Sequence, residues 1–245
     1  MKDELGERMK GYYEVRTQSR LPRRTYTIIR LDGKAFHTYT RNLKKPFDET
    51  LVDDMFWTTK YLCENIQGCK FGYTQSDEIS LLLTDFDRLS TDAWFDGNVQ
   101  KIVSVSASMA TAIFNERREP NDYGVEQPLA FFDSRTFTIP TAVEVENYFI
   151  WRQKDAIRNS ISMLAQSLYS HNQLHGKNTT DMLNMIKDTG KDWEKVPEWI
   201  RRGHFVTKSE IEKGFCWNSA AGTPDFVEQR EYLTEQVPRL EDMEE

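Results

Sequence analysis

The sequence predicts an α+β fold, with a βαββαβ domain followed by an appended helical region. Three observations lead to this prediction. Residues 26–31 are β-branched and apolar without a breaker, which is typical of a buried strand. Residues 71–83 form two similar runs around the polar turn Gln75-Ser76-Asp77-Glu78, as in a hairpin. Helical periodicity lies on both sides of the hairpin, so the predicted order is strand, helix, hairpin, helix, strand.

The remaining elements are predicted from periodicity and breakers. A charged helix over residues 2–20 precedes the first strand and is broken at Pro22. Thr141 and Glu144 have the spacing of a capping box, so a long helix begins there and runs towards residue 171. The other predicted elements are helices over 50–66 and 98–114, a surface loop over 119–127, one strand or a bent pair over 129–139, and short helices with a terminal hairpin over 176–217. These elements divide the chain into the βαββαβ domain, 1–140, and a region of the long helix, accessory helices and an acidic C-terminal tail, 141–245.

The composition is that of a globular protein, with 38% hydrophobic and 12% aromatic residues among 245. No apolar run approaches the ~20 residues of a membrane helix, and the first ten residues are too charged for a signal peptide. Three cysteines without a CxxC pair predict reduced thiols and no structural zinc. We therefore expect a cytoplasmic protein that has no membrane partner.

The net charge of −7 is unevenly distributed. Residues 225–245 contain eight acids and two arginines, which is −6, so the preceding 224 residues carry only −1. Four arginines cluster before the first strand, namely Arg16, Arg20, Arg23 and Arg24. This cluster is either a solvated surface or a local phosphate-contact patch, so the overall charge does not exclude an RNA partner.

Two carboxylates are predicted to meet at one end of the sheet. Asp32 ends the first strand and is followed by Gly33, which lets the backbone approach a ligand closely. Asp77 lies in the hairpin turn. Both carboxylates held over one sheet would have the geometry of a two-metal phosphoryl-transfer site, with metals roughly 4 Å apart. The alternative for each segment by itself is an ordinary solvated turn.

The segment Arg30-Leu-Asp-Gly-Lys-Ala-Phe-His37, taken with Gln75-Ser-Asp-Glu78, resembles the tRNA(His) guanylyltransferase family. It also resembles the guanylyltransferase-like branch of that family, the 3′-to-5′ RNA polymerases. The similarity runs in order from about residue 12 to about residue 217. Later matching segments are Lys45-Pro46 with Asp48, Trp94-Phe95 with Lys101, Phe132-Asp133-Ser134-Arg135, and Trp151-Arg152-Gln153 with Asp155 and Asn159.

The resemblance implies a palm-like polymerase domain in which Asp32 and Asp77 are the catalytic residues. With the Gly33 carbonyl, they would bind two Mg²⁺ ions, and Glu78 is expected to be structural or to support the ligands. The residues implied in nucleotide binding are Arg30, Gly33, Lys34, Ala35, Phe36, His37, Lys45, Asp48, Ser76 and Lys101. The residues expected to contact RNA or phosphate are Arg23, Arg24, Arg135, Arg152 and Asn159. The structural alternatives are a solvated Lys34, a core imidazole for His37, and a helix-surface pair of Arg152 with Asp155.

By this resemblance we expect template-dependent 3′-to-5′ nucleotide addition to the 5′ end of tRNA, after ATP or GTP activates the 5′-phosphate. Eukaryotic members carry a His-Ile-Asn-Asn-Leu-Tyr-Asn segment where this chain has residues 157–163, and only Asn159 clearly matches. The departure favours repair of 5′-truncated tRNAs over the alternative, guanosine addition at the −1 position of tRNA(His). More distant alternatives are a nucleotide cyclase and a non-catalytic RNA-binding protein. The implied partners are tRNA, ATP, GTP and other NTPs, and further copies of the chain in a homotetramer.

Overall fold

A six-stranded antiparallel sheet organises the fold. The structure is a computed structural model that describes residues 3–118, 128–211 and 214–219, with side chains up to residue 208. The strands are β1 Tyr26–Gly33, β2 Cys69–Gln75, β3 Glu78–Leu83, β4 Phe132–Ile139, β5 His204–Ile211 and β6 Gly214–Ser219. They lie in the order β4-β1-β3-β2-β5-β6, and each neighbouring pair is antiparallel.

Eight α-helices accompany the sheet in the part of the chain that the structure describes. They are α1 Glu4–Met9, α2 Phe36–Tyr39, α3 Glu49–Asn65, α4 Val99–Arg117, α5 Ala142–Gln166, α6 His171–Leu174, α7 Thr179–Asp188 and α8 Glu198–Arg202. Helix α1 continues through a π-helical turn, Lys10–Glu14, into a 3-10 turn, Val15–Thr17. The helix predicted over 2–20 is therefore present and ends at Thr17, before the extended Gln18.

The alternation of side chains along β1 divides the core between the two faces of the sheet. Ile29 and Leu31 pack with residues of α3 and α4 on one face, whereas Ile28 packs with the first half of α5 on the other. All six residues of β3 are buried, so this central strand is covered on both faces. Each fully buried aliphatic side chain stabilises the fold by about 1.5–3 kcal/mol, and the two faces together fix the register of the strands.

The α+β fold and the predicted βαββαβ order are confirmed. Residues 129–139 contain one straight strand, β4, rather than a bent pair. The strand begins at Phe132 and not at residue 129, because the backbone of Ala130 bonds to the Asn115 side chain instead of to a neighbouring strand. Asn115 Nδ2 donates to the Ala130 carbonyl at 2.8 Å, and Asn115 Oδ1 accepts from the Ala130 amide at 2.9 Å. The loop predicted over 119–127 lies outside the described residues.

The terminal hairpin predicted after residue 176 is present, and it extends the same sheet. Strand β5 pairs with β2, and β6 pairs with β5 at the edge. The sheet therefore takes strands from both sides of the boundary predicted at residue 140, and that division into two regions stays a prediction. None of the described helices is both long and apolar enough to span a membrane.

Candidate functional site

The hairpin turn and the end of β1 bring the two predicted carboxylates to the same end of the sheet. Asp32 lies directly opposite Glu78 of β3 in the strand register. Asp77 precedes Glu78 in the sequence, so it lies next to the residue that faces Asp32. The Gly33 amide donates to the Asp77 carbonyl at 3.0 Å, which fixes the turn against the end of β1. Ser76 has a φ of 52° and donates its hydroxyl to Asp77 Oδ1 at 3.0 Å. The predicted convergence of Asp32 and Asp77 is therefore seen in the structure.

The electrostatics of this end favour a cation. Burial raises the pKa of Asp77, and the nearby negative charge of Asp32 raises it further. The Arg135 guanidinium is 3.9 Å from an Asp32 oxygen and 2.9 Å from an Asp133 oxygen. Two carboxylates that repel one another are stabilised when a divalent cation binds between them.

The described residues contain no group of three or more His, Cys, Asp or Glu side chains placed to hold a metal ion. What this end offers is Asp32, Asp77 and the backbone carbonyl of Gly33. These are hard oxygen donors, and Mg²⁺ binds through few protein oxygens because it retains several waters. The donor set therefore fits Mg²⁺ better than a metal that prefers nitrogen or sulfur ligands.

A third carboxylate lies beside Asp32 and was not among the predicted ligands. Asp133, at the start of β4, is opposite Asp32 in the register, so their side chains share one face of the sheet. The sequence signal was present, because Asp133 lies in the Phe132-Asp133-Ser134-Arg135 match. That match by itself did not reveal the register that places Asp133 against β1.

The segment after Asp32 makes a tight turn that requires glycine at position 33. A Cβ built on Gly33 would lie 2.3 Å from Cδ2 of Phe36, whose ring is buried among Tyr39, Phe114 and Phe132. A larger residue at position 33 would therefore displace a ring that the core holds in place.

The backbone amides predicted as a phosphate cradle are partly occupied. The Gly33 amide donates to Asp77, and the Lys34 amide donates to the Phe131 carbonyl at 2.8 Å. Ala35 takes a left-handed φ of 55° and leads into α2, whose first NH groups have no partner within the helix. His37 is exposed, and one of its ring nitrogens lies 3.0 Å from the Thr38 hydroxyl, so it is not a core imidazole. Lys34 is exposed as well.

An open cleft lies next to the Ser76-Asp77 turn, between the start of α3, the middle of α5 and the region of α8. It brings together three predicted site residues from distant parts of the chain, Asp48, Ser76 and Asn159. Asp48 caps α3, since its Oδ1 accepts from the Leu51 amide at 2.9 Å. Lys45 is in the preceding loop, where its ammonium donates to the Thr40 carbonyl at 3.1 Å. Most of the remaining lining is apolar, including Trp199.

Beneath the site, Arg152 and Arg30 hold the buried Glu78 carboxylate. Arg30 Nη2 donates to Glu78 Oε2 at 2.6 Å, and Arg152 Nη2 donates to the same oxygen at 2.8 Å. Arg152 Nε lies 2.7 Å from Oε1 as an ion pair, without the angles of a hydrogen bond. Arg152 also donates to Asp155 at 2.8 Å. The structural role expected for Glu78 agrees with this network.

This network counts against a direct role of Arg152 in RNA binding. The Arg152 side chain is only 2% exposed, and its guanidinium already forms ion pairs with Glu78 and Asp155. The predicted nucleotide contact of Arg30 is likewise not favoured, since its guanidinium is occupied by Glu78. Sequence reasoning missed this role because Glu78 and Arg152 are 74 residues apart and no local pattern links them.

Three predicted residues lie at the opposite end of the sheet from Asp32. Arg23 and Arg24 bind Asp85, through a side-chain contact of 2.5 Å and a backbone contact of 2.8 Å. Lys101 is in the first turn of α4, where its ammonium lies 5.9 Å from the centre of the Phe95 ring. Because β1 rises ~3.3 Å per residue, eight residues separate Arg24 from Asp32 by roughly 26 Å. Within one chain the fold does not bring these residues to the two carboxylates.

Comparison with known proteins agrees with this architecture. The sequence model described as tRNA(His) guanylyltransferase matches residues 6–140. A bacterial tRNA(His) guanylyltransferase-like protein in complex with ATP is 45% identical, with a TM-score of 0.84 over 96% of this chain and 99% of that chain. A complex of such a protein with GTP is 44% identical, with a TM-score of 0.80 over 95% and 98%. The probable tRNA(His) guanylyltransferase of Mus musculus is 25% identical over 206 residues, which cover 77% of this chain and 66% of that protein.

The fold, the paired carboxylates and these relatives define the class of the protein, which is a nucleotidyltransferase. More narrowly, the chain belongs to the tRNA(His) guanylyltransferase family, because the family model covers more than half of it.

Proposed function

We propose that this protein adds nucleotides to the 5′ end of tRNA by phosphoryl transfer between the carboxylates of Asp32 and Asp77 and the adjacent cleft. The observation that carries the proposal is the meeting of these two carboxylates beside an open, largely apolar cleft that Asp48, Ser76 and Asn159 also line. The names of the relatives support tRNA as the substrate class, and their solved complexes with ATP and GTP support nucleoside triphosphates.

Asp32, Asp77 and the Gly33 carbonyl would hold the two Mg²⁺ ions implied by the family. When bound, Mg²⁺ would lower the charge on the phosphates and acidify the attacking hydroxyl. The chain itself holds the two carboxylates in a fixed position, because the Gly33 amide at the end of β1 donates a hydrogen bond to the Asp77 carbonyl in the turn. Arg135 supplies a positive charge beside Asp32, where it can also meet a phosphate oxygen.

The nucleotide would lie with its base in the cleft and its phosphates at the turn between β1 and α2. Ser76 and Asp48 both line the cleft and offer polar atoms in a lining that is mostly apolar. Ala35 precedes α2 and Phe36 and His37 begin it, and the first NH groups of this helix have no partner within the helix, so they could donate to phosphate oxygens. Lys34 and Lys45 are exposed cations near this path and act as point charges.

The reaction has two stages. In the first, a 5′-monophosphate oxygen of the RNA attacks the α-phosphorus of ATP or GTP, a P–O–P bond forms, and pyrophosphate leaves. In the second, the 3′-hydroxyl of an incoming NTP attacks the activated 5′-phosphorus, its proton is released, and the nucleoside monophosphate leaves. No protein nucleophile is needed, so positioning and charge stabilisation are the tasks of the residues described above.

Guanosine addition at the −1 position of tRNA(His) is the reaction that the names of the family model and curated relatives favour. Template-dependent repair of 5′-truncated tRNA is the second candidate. It is favoured by residues 157–163, which depart from the segment expected for dedicated guanosine addition and have Ile157 in place of its histidine. The 45% identity to a guanylyltransferase-like protein, rather than to a guanylyltransferase named as such, supports the same candidate.

The test offers two 5′-monophosphorylated substrates with labelled NTPs and Mg²⁺: full-length tRNA(His), and a tRNA that lacks its first nucleotide. Faster labelling of tRNA(His) supports guanosine addition, and faster labelling of the truncated tRNA supports repair. Asp32→Asn and Asp77→Asn are expected to lower either rate at least a hundredfold while RNA affinity persists. Asp92→Asn, a change at an 83% exposed carboxylate, is the matched control. Equal labelling by all variants would refute the proposed function.

A homotetramer is part of the proposal, as the family resemblance implies, and so is a cytoplasmic location, which three cysteines without a CxxC pair favour. Lys101 lies far from Asp32 and Asp77 within its own chain, so the nucleotide contact that the resemblance implies for it would require a second copy. Sedimentation of the purified protein measures the number of copies directly, and a single-copy species with full activity would contradict this part.

A further inference from the structure

A groove rich in lysine lies between the loop before α3 and the segment that joins α7 to α8. It is open to solvent, and its lining is partly apolar, with Phe47, Leu164 and Ile200 among the lining residues. Four ammonium groups line it: Lys44 and Lys45 on one side, and Lys191 and Lys195 on the other. Glu49 and Asp192 are its only acidic lining residues, so the net charge of the lining is +2.

The four ammonium groups of the groove are available to bind a ligand. None of the four forms an ion pair with a carboxylate among the residues that the structure describes, and all four are exposed. Much of the other positive charge is held in ion pairs, as at Arg20, Arg23, Arg30, Lys60, Lys70, Arg117, Arg118, Arg135, Arg152 and Arg158. Four exposed cations around one groove, with a net lining charge of +2, are a local exception on a chain whose overall charge is negative. Its natural ligand is an anion.

The groove is continuous with the cleft beside the catalytic turn. Phe47 and Ile200 line both cavities, so a ligand that leaves the cleft past these residues enters the groove. One side of the groove, with Lys44 and Lys45, belongs to the loop that leads into Asp48 of the cleft. The other side comes from the accessory region, about 146 residues further along the chain.

We infer that this groove binds the phosphodiester backbone of the RNA strand whose 5′ end enters the cleft. The inference rests on the proposed function and assigns Lys191 and Lys195 to RNA binding. Lysines act as point charges that tolerate different phosphate positions, which suits a backbone contact independent of sequence. Four cations contributed by two separate segments of an open groove suit an extended strand better than a single triphosphate.

The test measures tRNA affinity as a function of salt concentration for the full-length protein and for Lys191→Gln/Lys195→Gln. Each lost phosphate contact is expected to reduce the slope of log K against log[salt] by about 0.7–0.9. At 0.1 M salt this corresponds to about five- to eightfold weaker binding per lysine, and the difference disappears near 1 M. Lys10→Gln/Lys177→Gln is the matched control, since it removes two exposed charges outside the groove. The control is expected to keep the slope of the parent protein.

The outcomes separate this inference from the proposed function. If the parent protein extends tRNA and the groove variant keeps the parent's salt slope, the inference fails while the function stands. If the groove variant raises the KM for ATP and leaves tRNA affinity unchanged, the groove is a triphosphate site and the inference also fails. A parent protein that binds tRNA but adds no nucleotide would refute the function alone. Equal melting temperatures of parent and variants show that the fold is intact.

Discussion

Arg152→Met is expected to destabilise the protein by about 3 kcal/mol. Removing one partner of a buried ion pair costs about 3–5 kcal/mol, because the other charge is left in a poorly solvated position. Arg152 is 2% exposed and Glu78 is 6% exposed, so solvent screens neither charge. The lower end of the range applies because Arg30 remains within 2.6 Å of Glu78. For a chain of this size, about 3 kcal/mol lowers the melting temperature by about 6–12 °C.

Thermal melting measures this loss of stability, and the dependence of the loss on pH shows whether the unpaired charge of Glu78 causes it. Burial raises the pKa of Glu78, while Arg152 and Arg30 oppose that rise. Without Arg152 the pKa rises further, so the folded state binds the proton of Glu78 more tightly than the unfolded chain does. The penalty of Arg152→Met is then full above the folded pKa of Glu78, where the carboxylate is ionised. It shrinks as the pH falls towards 4 and Glu78 becomes neutral in both states.

Two further variants make the reasoning refutable. Arg158→Met removes a 66% exposed partner of Asp155 and is expected to change the stability by less than about 0.5 kcal/mol. Glu78→Gln combined with Arg152→Met removes both charges and should be more stable than Arg152→Met alone. A melting temperature of Arg152→Met within about 1 °C of the parent would refute the network. A specific loss of tRNA affinity in folded Arg152→Met would instead restore its predicted contact with RNA.

The other predictions concern the turns that carry the carboxylates. Gly33→Ala should destabilise the protein by about 1–3 kcal/mol and lower nucleotide addition at least tenfold, because its Cβ would lie 2.3 Å from the Phe36 ring. Gly11→Ala, where no atom lies within 4 Å of the new Cβ, should leave activity unchanged, and equal losses in both variants would contradict the steric argument. Asp77→Asn should raise the melting temperature in EDTA at pH 7, because burial and the charge of Asp32 raise the pKa of Asp77 and make its ionised form destabilising. That gain should vanish below about pH 4, where Asp77 is protonated in both states; a gain that persists there would have another cause.

The sequence anticipated the features that local chemistry controls. The β-branched run of β1, the two-residue turn of the hairpin and the periodic helices each depend on residues close together in the chain. Asp32 and Asp77 could be chosen because each ends such a run, and the strand order then brings them to one end of the sheet. Thr141 marked the start of α5 for the same reason, since its side chain accepts a hydrogen bond from the Glu144 amide at 3.3 Å.

The sequence could not show which charges are already paired. Arg30 and Arg152 look like phosphate ligands in the sequence, yet the folded chain uses both to neutralise Glu78. Pairing of this kind depends on distances between residues far apart in the chain, and a carboxylate binds whichever cation the fold brings close. Lys101 illustrates the same limit, because its motif is local but its distance from Asp32 follows from the direction of α4 across the sheet.

By itself the sequence determined the α+β pattern and the family and pointed to Asp32 and Asp77 as the paired carboxylates, because each depends on short runs of residues. Only the tertiary structure decided that β5 and β6 extend the same sheet. It also decided that Asp133 lies beside Asp32, and that Lys191 and Lys195 face Lys44 and Lys45 across one groove. The physical reason is that backbone propensities depend on a few neighbouring residues. Packing and electrostatic contacts instead act through space, between segments that can be far apart in the sequence.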